Sequence, residues 1–228
     1  MRWNDYREED YLHARLPVFT RRVEKAIEIA GEWLSRCERP HIACSGGKDS
    51  VAMTHLIRSA YGEVEVLFSS HPGRDWPGTY EVFERMGIEP RVIEYDPARP
   101  GSWFSDYDGC ALGLRAGESR ARMMNRGVRG TLYYCESSGM LHCLPLSDWT
   151  HRDVFAYIAV HELPLHPIYS APLAGLPHRG RIRLHDMDTT GEWWGVCGSL
   201  GAIWWIKKNF PEVYQQMTRD NPEVGRYA

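Results

Sequence analysis

The chain has 228 residues, 43% hydrophobic and 25% charged, enough for one full core with a small appendage and ordinary for a globular protein. A formal net charge of -3 argues against a protein that coats nucleic acid, though not against a local basic patch. No apolar run is long enough to cross a membrane and Met1-Arg2-Trp3-Asn4-Asp5-Tyr6 holds no signal-peptide core, so the cytoplasm is the expected location. The six cysteines, Cys37, Cys44, Cys110, Cys135, Cys143 and Cys197, form no C-x-x-C or adjacent pair. A zinc ribbon or an iron–sulfur framework is therefore not expected, and buried or free thiols are.

Residues 1–16 are charged and aromatic without a clear period and read as a short arm. Pro17 opens a helix with Val18, Val23, Ile27, Ala30 and Leu34 near one face. His41-Ile42-Ala43-Cys44 is a short strand. Ser45-Gly46-Gly47-Lys48-Asp49-Ser50 follows, and then a helix over about 47–60. In this strand–turn–helix the glycines allow a sharp turn with bare N–H groups, and the helix adds unpaired amides and the positive end of its dipole. Together they make a seat for phosphate or another tetrahedral oxyanion. Lys48 adds a charge, and Ser45 and Ser50 add hydroxyl donors. Asp49, a carboxylate beside an anion, is either a magnesium partner or an orienter of Lys48. The spacing is neither Walker A nor G-x-G-x-x-G.

Glu63–Ser70 reads as a second strand, 78–87 as a helix and Arg91–Tyr95 as a third strand, giving parallel βαβ units whose ligands bind beyond the carboxyl ends of the strands. Ser45, Ser69, Ser70 and His71 fall at such ends. His71 either approaches a nucleotide or is a turn histidine in water. Residues 96–109 form a loop, and Cys110–Arg115 a fourth strand that delivers Arg115 ahead of Glu118, Ser119 and Arg122. These charges either face an anionic ligand or form a surface ion pair one helical turn apart. Cys143 lies inside a further strand that ends at Pro145–Trp149, and Thr150 caps a helix over 151–161. Arg179, Arg181 and Arg183 alternate, either gripping a polyanion or lining a solvated strand. Residues 199–217 read as helical. The pairs Trp193-Trp194 and Trp204-Trp205 read as core or interface rather than base-stacking platforms.

Ser45–Ser50 matches every fixed position of S-G-G-x-D-S and so resembles the PP-loop family, the N-type ATP pyrophosphatases. Gly113-Leu114-Arg115 with Glu118-Ser119 and Arg122 resembles the G-x-R-x-x-E-S-x-x-R element of that family's phosphoadenosine phosphosulfate (PAPS) reductase-like branch. Pro145, Trp149, Asp153-Val154 and Tyr157-Ile158 resemble its P-x-x-x-W-x-x-x-D-V-W-x-Y-I element, with Phe155 in place of tryptophan. Leu163-Pro164, Pro167 and Tyr169 resemble the L-P-x-x-P-L-Y segment after it. The likeness runs from about residue 20 to about 183.

The resemblance implies an α/β, adenine nucleotide alpha hydrolase-like fold: a Rossmann-like parallel sheet of about five strands flanked by helices, with a small C-terminal helical extension. The divisions expected are 1–38 (arm and helix), 39–183 (PP-loop domain) and 184–228 (extension). It implies a nucleotide site of Ser45, Gly46, Gly47, Lys48, Asp49, Ser50, Ser69, His71, Arg115, Glu118 and Ser119. Lys48, Asp49, Arg115 and Arg122 are the catalytic set, and ATP (or PAPS) with Mg2+ at Asp49 the cofactors. The E-C-G-x-H tail of the reductases is not in this sequence. Cys197, in G-V-C-G, is the nearest thiol in order, without the flanking Glu and His. Three functions follow. The first is an ATP pyrophosphatase that adenylates an acceptor, with a sulfur donor or a nucleic-acid-modification protein as partner. The second is a thiol-dependent reductase of PAPS or adenylylsulfate that releases sulfite. The third is a non-catalytic nucleotide-sensing subunit.

Overall fold

The computed structural model describes residues 3–70, 75–96, 98, 101, 104–171, 179–182, 202–220 and 222. Among them six strands form one sheet: β1 (Pro40–Ala43), β2 (Glu65–Ser70), β3 (Arg91–Glu94), β4 (Gly109–Leu112), β5 (Leu132–Cys135) and β6 (Met140–Cys143). Their order is β3-β2-β1-β4-β6-β5, parallel throughout except for β5, which runs antiparallel to β6 at the edge. The sheet is thus α/β with one strand more than expected. The extra strand is a four-residue edge hairpin partner with none of its residues fully buried, so no buried apolar run announces it.

The helices are α1 (Glu8–Ala14), α2 (Pro17–Leu34), α3 (Lys48–Tyr61), α4 (Thr79–Met86), α5 (Arg120–Arg129) and α6 (His151–Val160), followed by Ala202–Asn209 and Pro211–Asp220. Pro17 stands at the first position of α2, where its missing N–H costs nothing. Ala26, Ala30 and Trp33 of α2 join Ile42 of β1, Val51, Met53 and Ile57 of α3, and Val154 and Ile158 of α6 in one core. Ile206, Val213 and Met217 pack into the same core.

The opening segment expected as an arm contains α1, which docks on α6. The dock is electrostatic as well as apolar. Asp153, fully buried, accepts from His13 at 2.8 Å, from Arg22 at 2.7 Å and from the Thr150 amide at 2.6 Å. One carboxylate therefore ties α1 and α2 to the capped start of α6. Its acid is drawn upward by burial, but the hydrogen bonds from Thr150 and His13 and the charge of Arg22 outweigh this and hold it below the usual range.

Candidate anion site at the strand switch point

β1 lies between β2 and β4, and the chain crosses from one side of β1 to the other. The carboxyl ends of β1 and β4 therefore diverge, as open α/β sheets require for a ligand crevice. Ser45–Ser50 leaves β1 there. Gly46 adopts a φ of 73°, a conformation open to glycine, and Gly47 is the residue before the first turn of α3. The Ser45 amide donates to Ser50 Oγ at 3.2 Å, and Ser50 Oγ donates to the Gly47 carbonyl at 2.9 Å, so the turn is braced from within. The Lys48 amide donates to Tyr169 Oη at 3.1 Å. The amides of Gly47, Asp49 and Ser50 have no backbone or side-chain acceptor among the described residues.

The strand end after β4 closes against this turn. The pair Ala43–Leu112 sets Gly113 beside the loop. A Cβ on Gly113 would stand 2.9 Å from Ser50 N and 3.0 Å from the Asp49 carbonyl carbon. The glycine of G-L-R is thus required for the two backbones to touch, a role its place in a motif did not reveal. Two residues on, Arg115 Nε donates to Asp49 Oδ1 at 2.5 Å and Nη2 to Glu118 Oε1 at 3.2 Å. Glu118 also pairs with Arg122, and Asp49 Oδ2 pairs with Lys48 Nζ at 2.8 Å. Lys48, Asp49, Arg115, Glu118 and Arg122 form one line of alternating charge. Three cations and two carboxylates leave it a net single positive charge.

Lys48 does not reach outward. It is 1% exposed, lies 5.4 Å from the Tyr169 ring centroid and donates to the Ile182 carbonyl at 3.1 Å. Asp49 Oδ2 accepts from Lys48 Nζ at 2.8 Å, the contact that the second of its two readings calls for. Burial pulls its acid upward, yet the charges of Lys48 and Arg115 keep it ionised below the usual range. Both its oxygens accept from cations, and no group of three or more His, Cys, Asp or Glu able to hold a metal lies among the described residues. The residues present do not fit a magnesium ion held by Asp49. Arg122, paired with Glu118 and with its side chain 27% exposed, is the outer end of the charge line. Ser119 caps α5, its Oγ accepting from the Arg122 amide at 3.2 Å. Ser69 is exposed at the end of β2, two residues beyond the pairing with Ala43, while Ser70 turns to Asp75 at 2.5 Å.

Arg179, expected to face a polyanion or solvent, is buried against Asp10 and over the Phe155 ring at 3.8 Å. His71, Arg183, Cys197 and the pair Trp193-Trp194 lie outside the described residues, as do the side chains of Arg181, Trp204 and Trp205. Of the described cysteines, Cys44, Cys110 and Cys143 are buried, and burial pushes their thiols up, Cys110 to about 12. Hydrogen bonds from Ser137 and Ser138 lower Cys135. Cys135 pairs with Met140 at the start of β6, the end of the sheet opposite the loop. Among the described residues no helix is long and apolar enough to cross a membrane.

The sequence model of the phosphoadenosine phosphosulfate reductase domain matches residues 104–204. A phosphoadenosine 5'-phosphosulfate reductase of Xanthomonas oryzae pv. oryzae is 32% identical over 108 residues, 46% of this chain and 35% of the relative. The matched stretch thus spans about a third of that relative's length. A reductase of the same description from Xylella fastidiosa is 23% identical over 190 residues, 67% of this chain and 73% of the relative. A solved PAPS reductase from Candida auris, in a phosphate complex, aligns with a TM-score of 0.49 at 14% identity, over 67% of this chain and 89% of that one. A tRNA thiolase from Methanococcus maripaludis aligns with a TM-score of 0.46 at 14% identity, over 92% and 80%. Residues 104–204 thus match the phosphoadenosine phosphosulfate reductase domain, a complete S-G-G-x-D-S loop leaves β1 of the same sheet, and the chain is similar over these parts to PAPS reductases.

Proposed function

We propose that the crevice between the ends of β1 and β4 binds the anionic tail of an adenine nucleotide, and that the chain is an enzyme acting on PAPS. The observation that carries this is the meeting of the two loops. The amides of Gly47, Asp49 and Ser50, without acceptors among the described residues, and the charge line from Lys48 to Arg115 share one place. A tetrahedral anion there is met by oriented N–H dipoles and a net positive charge, with little reorganisation needed when charge develops on a leaving group. The domain match and the curated relatives named above, described as PAPS reductases, favour a phosphosulfate tail over a triphosphate.

In this reading a thiolate attacks the sulfur and forms an S–S bond while the S–O bond to the nucleotide breaks. Adenosine 3',5'-bisphosphate leaves with the bond's electron pair. A second thiol then displaces sulfite and is oxidised with the first to a disulfide. The thiols are supplied by Cys197 or by a partner protein. A second reading, cleavage of ATP between its α- and β-phosphates, is favoured by one observation: no described cysteine stands at the loop end of the sheet with a thiol free of burial. The same seat would then hold the departing pyrophosphate while an acceptor is adenylated. The experiment is a paired product assay on the full chain. Sulfite from PAPS with a dithiol reductant, lost in Cys197→Ser or dependent on an added thiol protein, supports the first reading. Pyrophosphate from ATP without sulfite from PAPS supports the second. Neither product, with tight nucleotide binding, would make the chain a nucleotide-sensing subunit.

A further inference from the structure

Lys48 is held from outside its own loop at two points. The Tyr169 hydroxyl accepts from its amide at 3.1 Å, and the Ile182 carbonyl accepts from its ammonium group at 3.1 Å. Both contacts lead back to one guanidinium group, that of Arg179. Arg179 and Ile182 are the ends of a single turn, closed by the Ile182 amide donating to the Arg179 carbonyl at 3.1 Å. The Arg179 side chain is buried and turned toward the start of the chain. Its Nη2 pairs with both oxygens of Asp10 on α1, and its Nη1 donates to the Asp5 carbonyl at 2.9 Å. The guanidinium carbon lies 3.8 Å from the centroid of the Phe155 ring, and Phe155 meets the Tyr169 ring edge-on with centroids 6.0 Å apart. Asp10 is fixed in turn: its Oδ2 also accepts from the Arg7 amide at 2.9 Å, and His13 of α1 is bonded to Asp153 of α6 at 2.8 Å.

We infer that Asp10 and Arg179 are positioning residues for the anion site. They hold the 179–182 turn so that the Ile182 carbonyl, with Asp49, seats the Lys48 ammonium group under the glycine loop, where its charge meets the ligand's tail. The inference rests on the nucleotide reading of the crevice given above. Packing alone does not call for a charge at this place. Phe155, Tyr169 and Ile182 already belong to the apolar core, and a well-packed apolar pair at positions 10 and 179 would avoid the cost of burying two ions. What such a pair would lack is direction. A planar guanidinium bonded to Asp10 and to the Asp5 carbonyl, and laid over a ring, fixes the turn that carries Ile182 and so the aim of its carbonyl. A carbonyl has no net charge. It fixes the ammonium group without cancelling the positive charge offered to an anion.

The test is titration calorimetry of the full chain with PAPS, ATP and AMP, on the parent, Asp10→Asn, Lys48→Ala and the double variant that combines them. Asp10→Asn removes the charge and keeps the shape. Arg179→Lys keeps the buried positive charge but replaces a forked donor with a single ammonium group, and takes the place of Asp10→Asn if circular dichroism shows that variant unfolded. The expected result for either is an affinity for the tail-bearing nucleotide, PAPS or ATP, lower by about three- to tenfold, the size of one ordinary hydrogen bond, with AMP within about twofold of the parent. In the Lys48→Ala background the same change should add nothing, because a positioning residue has no effect once the group it positions is gone. An equal loss for AMP, or an effect as large without Lys48 as with it, would show a structural role only and overturn the inference. So would unfolding of both variants, or parent-like or tighter binding in a folded one while Lys48→Ala is weakened. Those outcomes leave the nucleotide reading standing. A parent that binds none of the three nucleotides, or a folded Lys48→Ala that binds PAPS and ATP as the parent does, overturns that reading and this inference with it.

Discussion

Arg115 Nε and Asp49 Oδ1 stand 2.5 Å apart, and this bond joins the two loops on either side of the strand switch point. Lys48 and Arg115 are nearly inaccessible, 1% and 5% by side chain, and both lean on this carboxylate. Asp49→Asn would put a neutral amide where Lys48 and Arg115 share a carboxylate, with Glu118 still beside Arg115. Loss of one member of such a set costs about 3 kcal/mol, because the remaining charge is left without compensation. The expected melting temperature of the unliganded protein falls by about 6–12 °C for a chain of this size. Pyrophosphate should restore more stability to the variant than it adds to the parent, since an anion then supplies the missing charge. An unchanged melting temperature by differential scanning calorimetry would remove Asp49 from its place as the link.

Gly113→Ala tests the backbone contact. The added methyl meets Ser50 N at 2.9 Å and Asp49 backbone at 3.0 Å, atoms that cannot swing aside as a side-chain tip would. Overpacking of this kind costs about 1–3 kcal/mol. It also crowds a loop amide offered to the ligand, so nucleotide affinity should fall by about tenfold or more, the equivalent of about 1.4 kcal/mol. Titration calorimetry reads it. A variant that binds ATP and PAPS as the parent does would show that the crevice tolerates separation of β1 and β4 ends.

How much of this was written in the sequence differs from residue to residue. The loop Ser45–Ser50, its flanking strand and its helix were legible because glycine spacing and apolar periodicity are local signals. The approach of Arg115 and Glu118 to an anion site was legible from their place beyond a strand end as well as from the family resemblance, and the structure adds what neither contained, the bond to Asp49. Tyr169 and Ile182 were not legible as partners of Lys48. Their contact crosses more than a hundred positions, and the backbone carbonyl of Ile182 carries no sequence signal at all. The inward course of Arg179 was missed for the same reason: its partner, Asp10, sits in a helix too short and too charged to announce itself by period.

Asp153 makes a pH prediction. Its folded acid lies below the ordinary value of 3.8, so its contribution to stability is complete above that value and is lost as pH falls through the lowered folded one. Asp153→Asn should therefore cost about 3 kcal/mol at neutral pH, where it leaves Arg22 facing a neutral amide. The gap between parent and variant should narrow below about pH 4. Urea unfolding at a series of pH values checks it, and a gap that widens on acidification would contradict the sign.

Thiol reactivity ranks the described cysteines. Cys135, half-exposed and lowered by Ser137 and Ser138, should be alkylated ahead of Cys44, Cys110 and Cys143, whose thiols burial pushes up. Peptide mapping after brief iodoacetamide treatment at about pH 8, near the ordinary thiol range, should find Cys135 modified first among these four. Early labelling of Cys44, which directly precedes the loop, would mean that β1 opens far more readily than its buried pairing implies.

The central claim is that the glycine loop, with Lys48 beneath it, holds the anionic tail of an adenine nucleotide. Isothermal titration of the parent and of Lys48→Ala with PAPS, ATP and AMP tests it most directly, with circular dichroism confirming that the variant is folded. The account predicts that PAPS or ATP binds the parent at one site and more tightly than AMP, and that Lys48→Ala loses about tenfold or more on the long-tailed ligand while AMP changes little. Equal affinities in parent and folded variant, or no binding of any of the three nucleotides to either, would contradict it.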